Sequence, residues 1–88
     1  MPASVHSSRY QALRPALVAL RTKAGLSQRQ LAERLEVGQS YVSKIERGEA
    51  YVDVMLFVDW CLACGAKPGT VLSRVLASLP QPAEVTGR

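Results

Sequence analysis

The chain has 88 residues, a formal net charge of +4, 48% hydrophobic residues and 20% charged residues. This length accommodates one small domain rather than two, and the composition is globular rather than disordered. Residues 1–12 contain no apolar run, and no apolar stretch is long enough to span a bilayer, so we expect neither a secretory signal nor a membrane helix. The two cysteines then favour a reducing, cytoplasmic location over a disulfide framework.

The positive charge is concentrated in the first half of the chain. Residues 1–48 contain eight Lys and Arg side chains and three acids, whereas residues 49–88 contain three Lys and Arg side chains and four acids. This asymmetry indicates a polyanionic partner near the first half, with nucleic acid as the first candidate and a membrane surface as the second. An ordinary solvated face would show the same pattern, so charge alone does not decide between them.

Apolar residues recur at helical spacing through the central region, without the alternation of a strand. The first predicted helix is capped by Ser7 or Ser8 and ends at Gly25. Pro15 either bends this helix or marks its first turn, and we favour one bent helix. Residues 1–8 and 80–88 are expected to be flexible ends, so the predicted domain comprises residues 9–79.

Two short helices are predicted next. Ser27 begins the second helix, and Gln30 three residues later gives the spacing of a capping box. After a break at residues 36–38, a third helix extends to Gly48, and its packed face carries Val42 and Ile45. Two short helices joined by a short turn, within about residues 27–48, have the geometry of a helix-turn-helix.

Two more helices complete the predicted domain in residues 53–79. Asp53 can cap a fourth helix from Val54 to Cys64, which is apolar nearly all round. Such a helix lies either in the centre of the core or against another subunit. A fifth helix is predicted from Pro68 to about Leu79. The predicted class is therefore all-α with five short helices.

The third helix carries polar and cationic side chains between its apolar ones. They are Gln39, Ser40, Ser43, Lys44 and Arg47, and there is no acid among them. The major groove of DNA is wide enough to admit one helix. This face, together with the local positive charge, favours DNA binding over an ordinary helical hairpin.

Residues 25–35, GLSQRQLAERL, followed by residues 37–48, VGQSYVSKIERG, resemble the phage-repressor-type (XRE) helix-turn-helix family. The resemblance extends over residues 13–72. It implies a five-helix, lambda-repressor-like domain that binds double-stranded DNA with residues 39–47 in the major groove.

The resemblance also implies two sets of DNA contacts. The expected base contacts are Gln39 and Ser40, with Ser43 and Lys44 as second candidates. The expected phosphate contacts are Ser27, Gln28, Arg29 and Arg47. A Gln39 amide can pair bidentately with adenine, which discriminates by about 1–3 kcal/mol, and Lys44 suits guanine. Gln28 is also expected to brace Gln39. For Ser43 and Arg47, simple exposure to solvent is the alternative.

Arg21 and Glu46 are expected, from the same resemblance, to form a structural ion pair between the first and third helices. Removing one partner would leave a charge unpaired, at about 3–5 kcal/mol if the pair is deeply buried. Two positions depart from the family pattern. Glu36 replaces a glycine, where a left-handed backbone costs about 1 kcal/mol and would favour a reshaped turn, and Gly38 replaces a Ser or Thr cap. Both departures bear on where Gln39 is placed.

Other kinds of site receive little support. Cys61 and Cys64 form a CxxC pair, but the sole histidine, His6, lies near the N-terminus and no second cysteine pair exists. We therefore expect two buried thiols, no metal and no cofactor. Without a nucleophile-base-acid set, a phosphate loop or paired catalytic carboxylates, we do not expect an enzyme.

We therefore expect a small sequence-specific regulator, a homodimeric repressor whose subunits associate through residues 54–79 and read half-sites about one helical turn apart. The alternative is an antitoxin or another protein-interaction module that holds a toxin or other partner and autoregulates through DNA. A structural adaptor that does not bind DNA is a third interpretation. No membrane partner is expected.

Overall fold

The computed structural model describes residues 7–79, which form five α-helices and no strand. The helices are α1 (Ser8–Lys23), α2 (Gln28–Leu35), α3 (Gln39–Glu46), α4 (Val54–Ala63) and α5 (Pro68–Ser78). The predicted all-α, five-helix class is confirmed. Residues 1–6 of the expected flexible N-terminus, and all of the expected tail at 80–88, lie outside the described residues.

The start of α1 agrees with one of the two predicted caps. Ser7 is the N-cap and Ser8 is the first residue of α1, so the helix begins one residue before the predicted domain boundary at residue 9. The Ser7 hydroxyl accepts a hydrogen bond from the Tyr10 N–H at 3.1 Å, which satisfies one of the backbone donors left open at a helix start. The helix continues through Pro15, whose side chain is exposed, so a single helix is observed.

Each of the first four helices is followed within two residues by a residue with a left-handed backbone. These residues are Gly25, Glu36, Gly48 and Gly65. After α2, the Val37 N–H returns to the Ala32 carbonyl at 3.0 Å, the closure expected of a Schellman motif. Glu36 has φ 58° and ψ 42°, so the turn keeps its left-handed form and is not reshaped. Glu36 is exposed, and only backbone strain of about 1 kcal/mol opposes this geometry.

The core contains side chains from all five helices. Its fully buried members are Leu17, Leu31, Val42, Ile45, Trp60 and Cys61. The Trp60 indole N–H donates to the Leu17 carbonyl at 3.1 Å, which joins α4 to α1. Because the inner face of α3 is buried in this core, the rotation of α3 about its own axis is determined by apolar packing.

The helix α4 is buried on one side only. Phe57 and Trp60 face the core, whereas Val54, Met55 and Leu62 are 76%, 64% and 60% exposed. A second apolar face therefore stays open to solvent within one chain. Among residues 7–79, no single helix is long and apolar enough to cross a membrane; α4 and α5 together reach the required length and composition, but they are bent by 114° at their junction.

Candidate nucleic-acid interface

The outer face of α3 presents polar side chains to solvent. Gln39, Ser40 and Lys44 are exposed and Ser43 is half-buried, while Val42 and Ile45 on the opposite side are completely buried. Gly38 caps the helix with no side-chain hydrogen bond. An amide, hydroxyls and an ammonium group thus stand on the open side of a helix whose other side is packed.

The C-terminal end of α3 is held by the carboxylate of Glu46, which is 6% exposed. Arg21 donates from Nε to Oε2 at 2.6 Å and from Nη2 to Oε1 at 3.0 Å. A third guanidinium nitrogen, Nη1, donates to the Leu26 carbonyl at 2.8 Å. The side-chain hydrogen bond to Glu46 raises the pKa of Arg21, so the guanidinium stays charged. This ion pair links α1 to the last turn of α3.

Gln28 belongs to the same cluster, which sequence reasoning missed. The resemblance implies contacts of Gln28 with a DNA phosphate and with Gln39; in the structure its Nε2 donates to Glu46 Oε1 at 2.9 Å. The physical reason is that a buried carboxylate requires several donors, and Gln28 at the start of α2 is within reach. In the described residues this amide nitrogen is directed to Glu46 and not to Gln39.

The other expected contacts on α2 lie at its first turn. The Ser27 hydroxyl accepts from the Gln30 N–H at 3.0 Å, and the Gln30 side chain accepts from the Ser27 N–H at 2.9 Å, so the predicted capping box is confirmed. Arg29 follows immediately and is exposed. There is no acid in this first turn, which leaves the positive end of the helix dipole uncompensated by the protein.

The first half of α1 clamps the backbone that follows α3. Arg14 Nη1 donates to the Glu46 carbonyl at 3.0 Å, and Gln11 Nε2 donates to the Gly48 carbonyl at 3.1 Å. The Tyr10 hydroxyl donates to the Ala50 carbonyl at 2.8 Å and accepts from the Val52 N–H at 2.7 Å. Burial raises the pKa of the Tyr10 phenol, which keeps its donated proton. The available signal for this clamp was the helical spacing of Tyr10, Gln11 and Arg14, which places these polar groups on neighbouring positions of one helix face.

Arg47 is engaged by its neighbours in the structure. Its Nε and Nη2 each lie 3.1 Å from a different oxygen of Glu49, and Nη1 donates to the Ser43 hydroxyl. The pair raises the pKa of Arg47 and lowers that of Glu49. Arg47 is thus exposed to solvent and hydrogen-bonded within the protein at the same time, and Ser43 is half-buried. The pattern of the third helix does not reveal Glu49 as a partner of Arg47, because Glu49 lies beyond the end of that helix.

No second kind of site stands out in the part of the chain that is described. Between residues 7 and 79, no group of three or more His, Cys, Asp or Glu side chains is placed to hold a metal. Cys61 is a buried free thiol, but Cys64 is only half-buried, so the expectation of two buried thiols is confirmed for Cys61 alone. Burial raises the pKa of both thiols, which disfavours the reactive thiolate. His6 lies outside the described residues.

Comparison with known proteins agrees with this geometry. A helix-turn-helix family model (HTH_3) matches residues 17–71. An XRE-family like protein from Pseudomonas syringae is 43% identical, with a TM-score of 0.77 over 86% of this chain and 93% of the other. The clp gene regulator ClgR from Corynebacterium glutamicum is 35% identical, with a TM-score of 0.71 over 85% and 79%.

A hypothetical transcription factor from Neisseria, at 21% identity and a TM-score of 0.65 over 88% and 95% of the two chains, shares the fold. No functionally curated protein matches the chain. The family match covers more than half of the chain, and the Pseudomonas relative covers most of it. The chain therefore belongs to the XRE family of helix-turn-helix, DNA-binding transcription regulators.

Proposed function

We propose that the protein is a homodimeric repressor that binds a specific operator with residues 39–47 in the major groove. The supporting observation is the outer face of α3, where Gln39, Ser40 and Lys44 are exposed above a completely buried inner face. A helix that is packed on one side and exposes polar side chains on the other meets the requirement of base readout. In bacteria, the source of its relatives, such a regulator acts in the cytoplasm.

The proposal includes two sets of contacts, to bases and to phosphates. Gln39 and Ser40 read bases, with Ser43 and Lys44 as further base contacts. Phosphates are bound by Ser27, Arg29 and Arg47. Gln28 reaches a phosphate with the second N–H of its amide while the first stays on Glu46, since an amide nitrogen has two donors.

The proposal of a homodimer is supported by uncovered apolar surface. Leu72 and Leu76 on α5 are 44% and 56% exposed, and Tyr51 beside them is 43% exposed. A groove of 360 Å³ lies between α1 and α5, lined by Tyr10, Leu13, Tyr51, Leu72, Val75 and Leu79 among others. A single recognition helix reads too few base pairs for useful specificity, and two copies related by a two-fold axis would read two half-sites.

Light scattering tests the dimer. We expect twice the 9.6 kDa chain mass at tens of micromolar. Leu76→Glu should give a monomer because it places a charge in the proposed interface. Ala77→Glu, at an exposed position about 100° around α5 from Leu76, should leave the dimer intact. A monomeric parent protein would contradict this part of the proposal.

Base reading is tested by replacing Gln39 with Ala. After the preferred sites have been selected from random duplexes, we expect the variant to lose discrimination at one base position, by about 1–3 kcal/mol. Arg29→Gln is the matched control, since loss of a phosphate contact should weaken all DNA alike and reduce the salt slope by about one. Equal weakening on selected and random duplexes by Gln39→Ala would argue against base reading.

One observation favours a second candidate function. The exposed face of α4, with Val54, Met55 and Leu62, is apolar surface that an antitoxin can use to hold a toxin. A neighbouring toxin reading frame, or a stoichiometric partner that co-purifies with the protein, would support this function. A structural adaptor, by contrast, predicts no salt-dependent DNA affinity.

A further inference from the structure

The residue Glu49 is placed beside α3 by a rigid turn. Gly48 has φ 79°, and its N–H donates to the Ile45 carbonyl at 3.0 Å. The Glu49 N–H then returns to the Lys44 carbonyl at 2.8 Å, the second closure of a Schellman motif. Because α1 also holds the Gly48 carbonyl through Gln11, the backbone of Glu49 has a defined position relative to the helix.

From this position the Glu49 carboxylate accepts hydrogen bonds from the guanidinium of Arg47. The two oxygens accept from Nε and Nη2 at 3.1 Å each, and Ser43 accepts from Nη1. All three guanidinium nitrogens therefore have a partner within the protein. The side chains of Arg47 and Glu49 are 52% and 54% exposed, so an incoming phosphate can reach the pair from solvent.

Carboxylate and phosphate compete for the same donors. Both accept two parallel N–H bonds from the forked guanidinium, and both are anions. A phosphate can bind Arg47 fully only after Glu49 has released it, and the released carboxylate then repels the DNA backbone. Each consequence lowers affinity, and neither depends on the base sequence, because phosphate contacts do not read bases.

We propose that Glu49 is an internal competitor of the DNA backbone, which occupies Arg47 in the unbound protein and lowers affinity for all duplexes alike. This inference rests on the proposed binding of DNA through residues 39–47. It predicts that the phosphate contact at the end of α3 contributes little to the binding free energy. Base contacts from Gln39 and Ser40 then contribute a larger share of that free energy.

The test is a cycle of Glu49→Gln and Arg47→Gln, measured by fluorescence anisotropy with a labelled operator and a labelled random duplex. We expect Glu49→Gln to bind both duplexes about threefold to fivefold more tightly at low salt, with a smaller gain at high salt. In the Arg47→Gln background the same change should have little effect. Glu33→Gln, which removes an exposed acid from α2, is the matched control and should give a smaller gain.

The outcomes separate this inference from the proposed function. If the parent protein shows no salt-dependent affinity for either duplex, the proposed function fails. If the parent binds but Glu49→Gln leaves affinity unchanged or weakens it, only the competition is wrong, and weakening would mean that Glu49 prepares Arg47 for phosphate. A full gain that persists without Arg47 also overturns the proposal, since Glu49 would then act only as a nearby charge.

A carboxyl titration followed by NMR gives a second readout. Arg47 lowers the pKa of Glu49 in the unbound protein, so Arg47→Gln should return that pKa towards its ordinary value. Binding of a duplex should also raise the pKa of Glu49, because Arg47 is then withdrawn and a phosphate lies nearby. A pKa that is unchanged by a saturating duplex would show that the pair stays intact on DNA.

Discussion

The two ends of α3 are built differently. At the C-terminal end, the Glu46 carboxylate is bonded to Arg21 and Gln28, and side chains of α1 hold the backbone that follows. At the N-terminal end, Gly38 supplies no side-chain cap, and Gln39 is exposed. Polar contacts within the protein are thus concentrated at the C-terminal end of α3, where they hold the helix in its orientation. The end proposed to read bases is left available for a ligand.

The largest effect is expected from removing Arg21 at the anchored end. Arg21→Ala leaves the buried Glu46 carboxylate without its main partner and should lower the free energy of unfolding by about 3 kcal/mol. Chemical denaturation followed by circular dichroism measures the change. The double variant Arg21→Met with Glu46→Leu should recover much of the loss, because no buried charge is then left unpaired. A loss below about 1 kcal/mol for Arg21→Ala would show that the pair does not anchor α3.

An intermediate effect is expected at Gly48. Its positive φ opposes any side chain, and an added Cβ would also collide with the Gln11 amide that binds the Gly48 carbonyl. We expect Gly48→Ala to destabilise the fold by about 2 kcal/mol. Gly65→Ala is the matched control, since Gly65 has φ 75° and no neighbour within 4 Å of an added Cβ, and it should cost about 1 kcal/mol from backbone strain alone. If thermal denaturation shows the same loss of stability for both variants, the hydrogen bond from Gln11 to the Gly48 carbonyl adds no stability at this turn.

The smallest effect is expected at the open end. Gly38→Ser supplies the missing N-terminal cap, and the nearest atom to an added Cβ is the Ser40 hydroxyl oxygen at 3.9 Å, so there is room for the side chain. Stability should rise by about 0.3 kcal/mol, with no change in base discrimination. Denaturation and duplex binding of the same sample check both parts. If Gly38→Ser lowers the stability or changes the base preference, a glycine is required at this position.

Local features were predictable because their partners are close in sequence. The capping box of Ser27 and Gln30 and the Asp53 cap, whose carboxylate accepts from the Leu56 N–H at 2.8 Å, depend on residues three positions apart. The Arg21–Glu46 pair is not local, and its expectation depended on the family resemblance. The hydrogen bond from Gln28 to Glu46 is not predicted, because a sequence does not show that a buried carboxylate has room for another donor.

Other features depend on the geometry of the folded chain. Tyr10, Gln11 and Arg14 contact backbone groups 32 to 42 residues away, so their roles depend on how α1 crosses the segment after α3. Glu49 and Arg47 are two residues apart, a separation at which side chains on a regular helix do not face each other. Only the left-handed turn at Gly48 brings them together. The acid-free pattern of the third helix therefore could not predict the pair of Arg47 and Glu49.

The buried position of Trp60 has a practical consequence. It is the sole tryptophan of the chain, it has no exposed surface, and its indole is bonded to α1. Its fluorescence emission should therefore shift to longer wavelength when α4 separates from α1, while a ligand on the outer side of α3 cannot quench it by contact. The protein thus contains its own optical reporter of unfolding, insensitive to direct contact with a ligand.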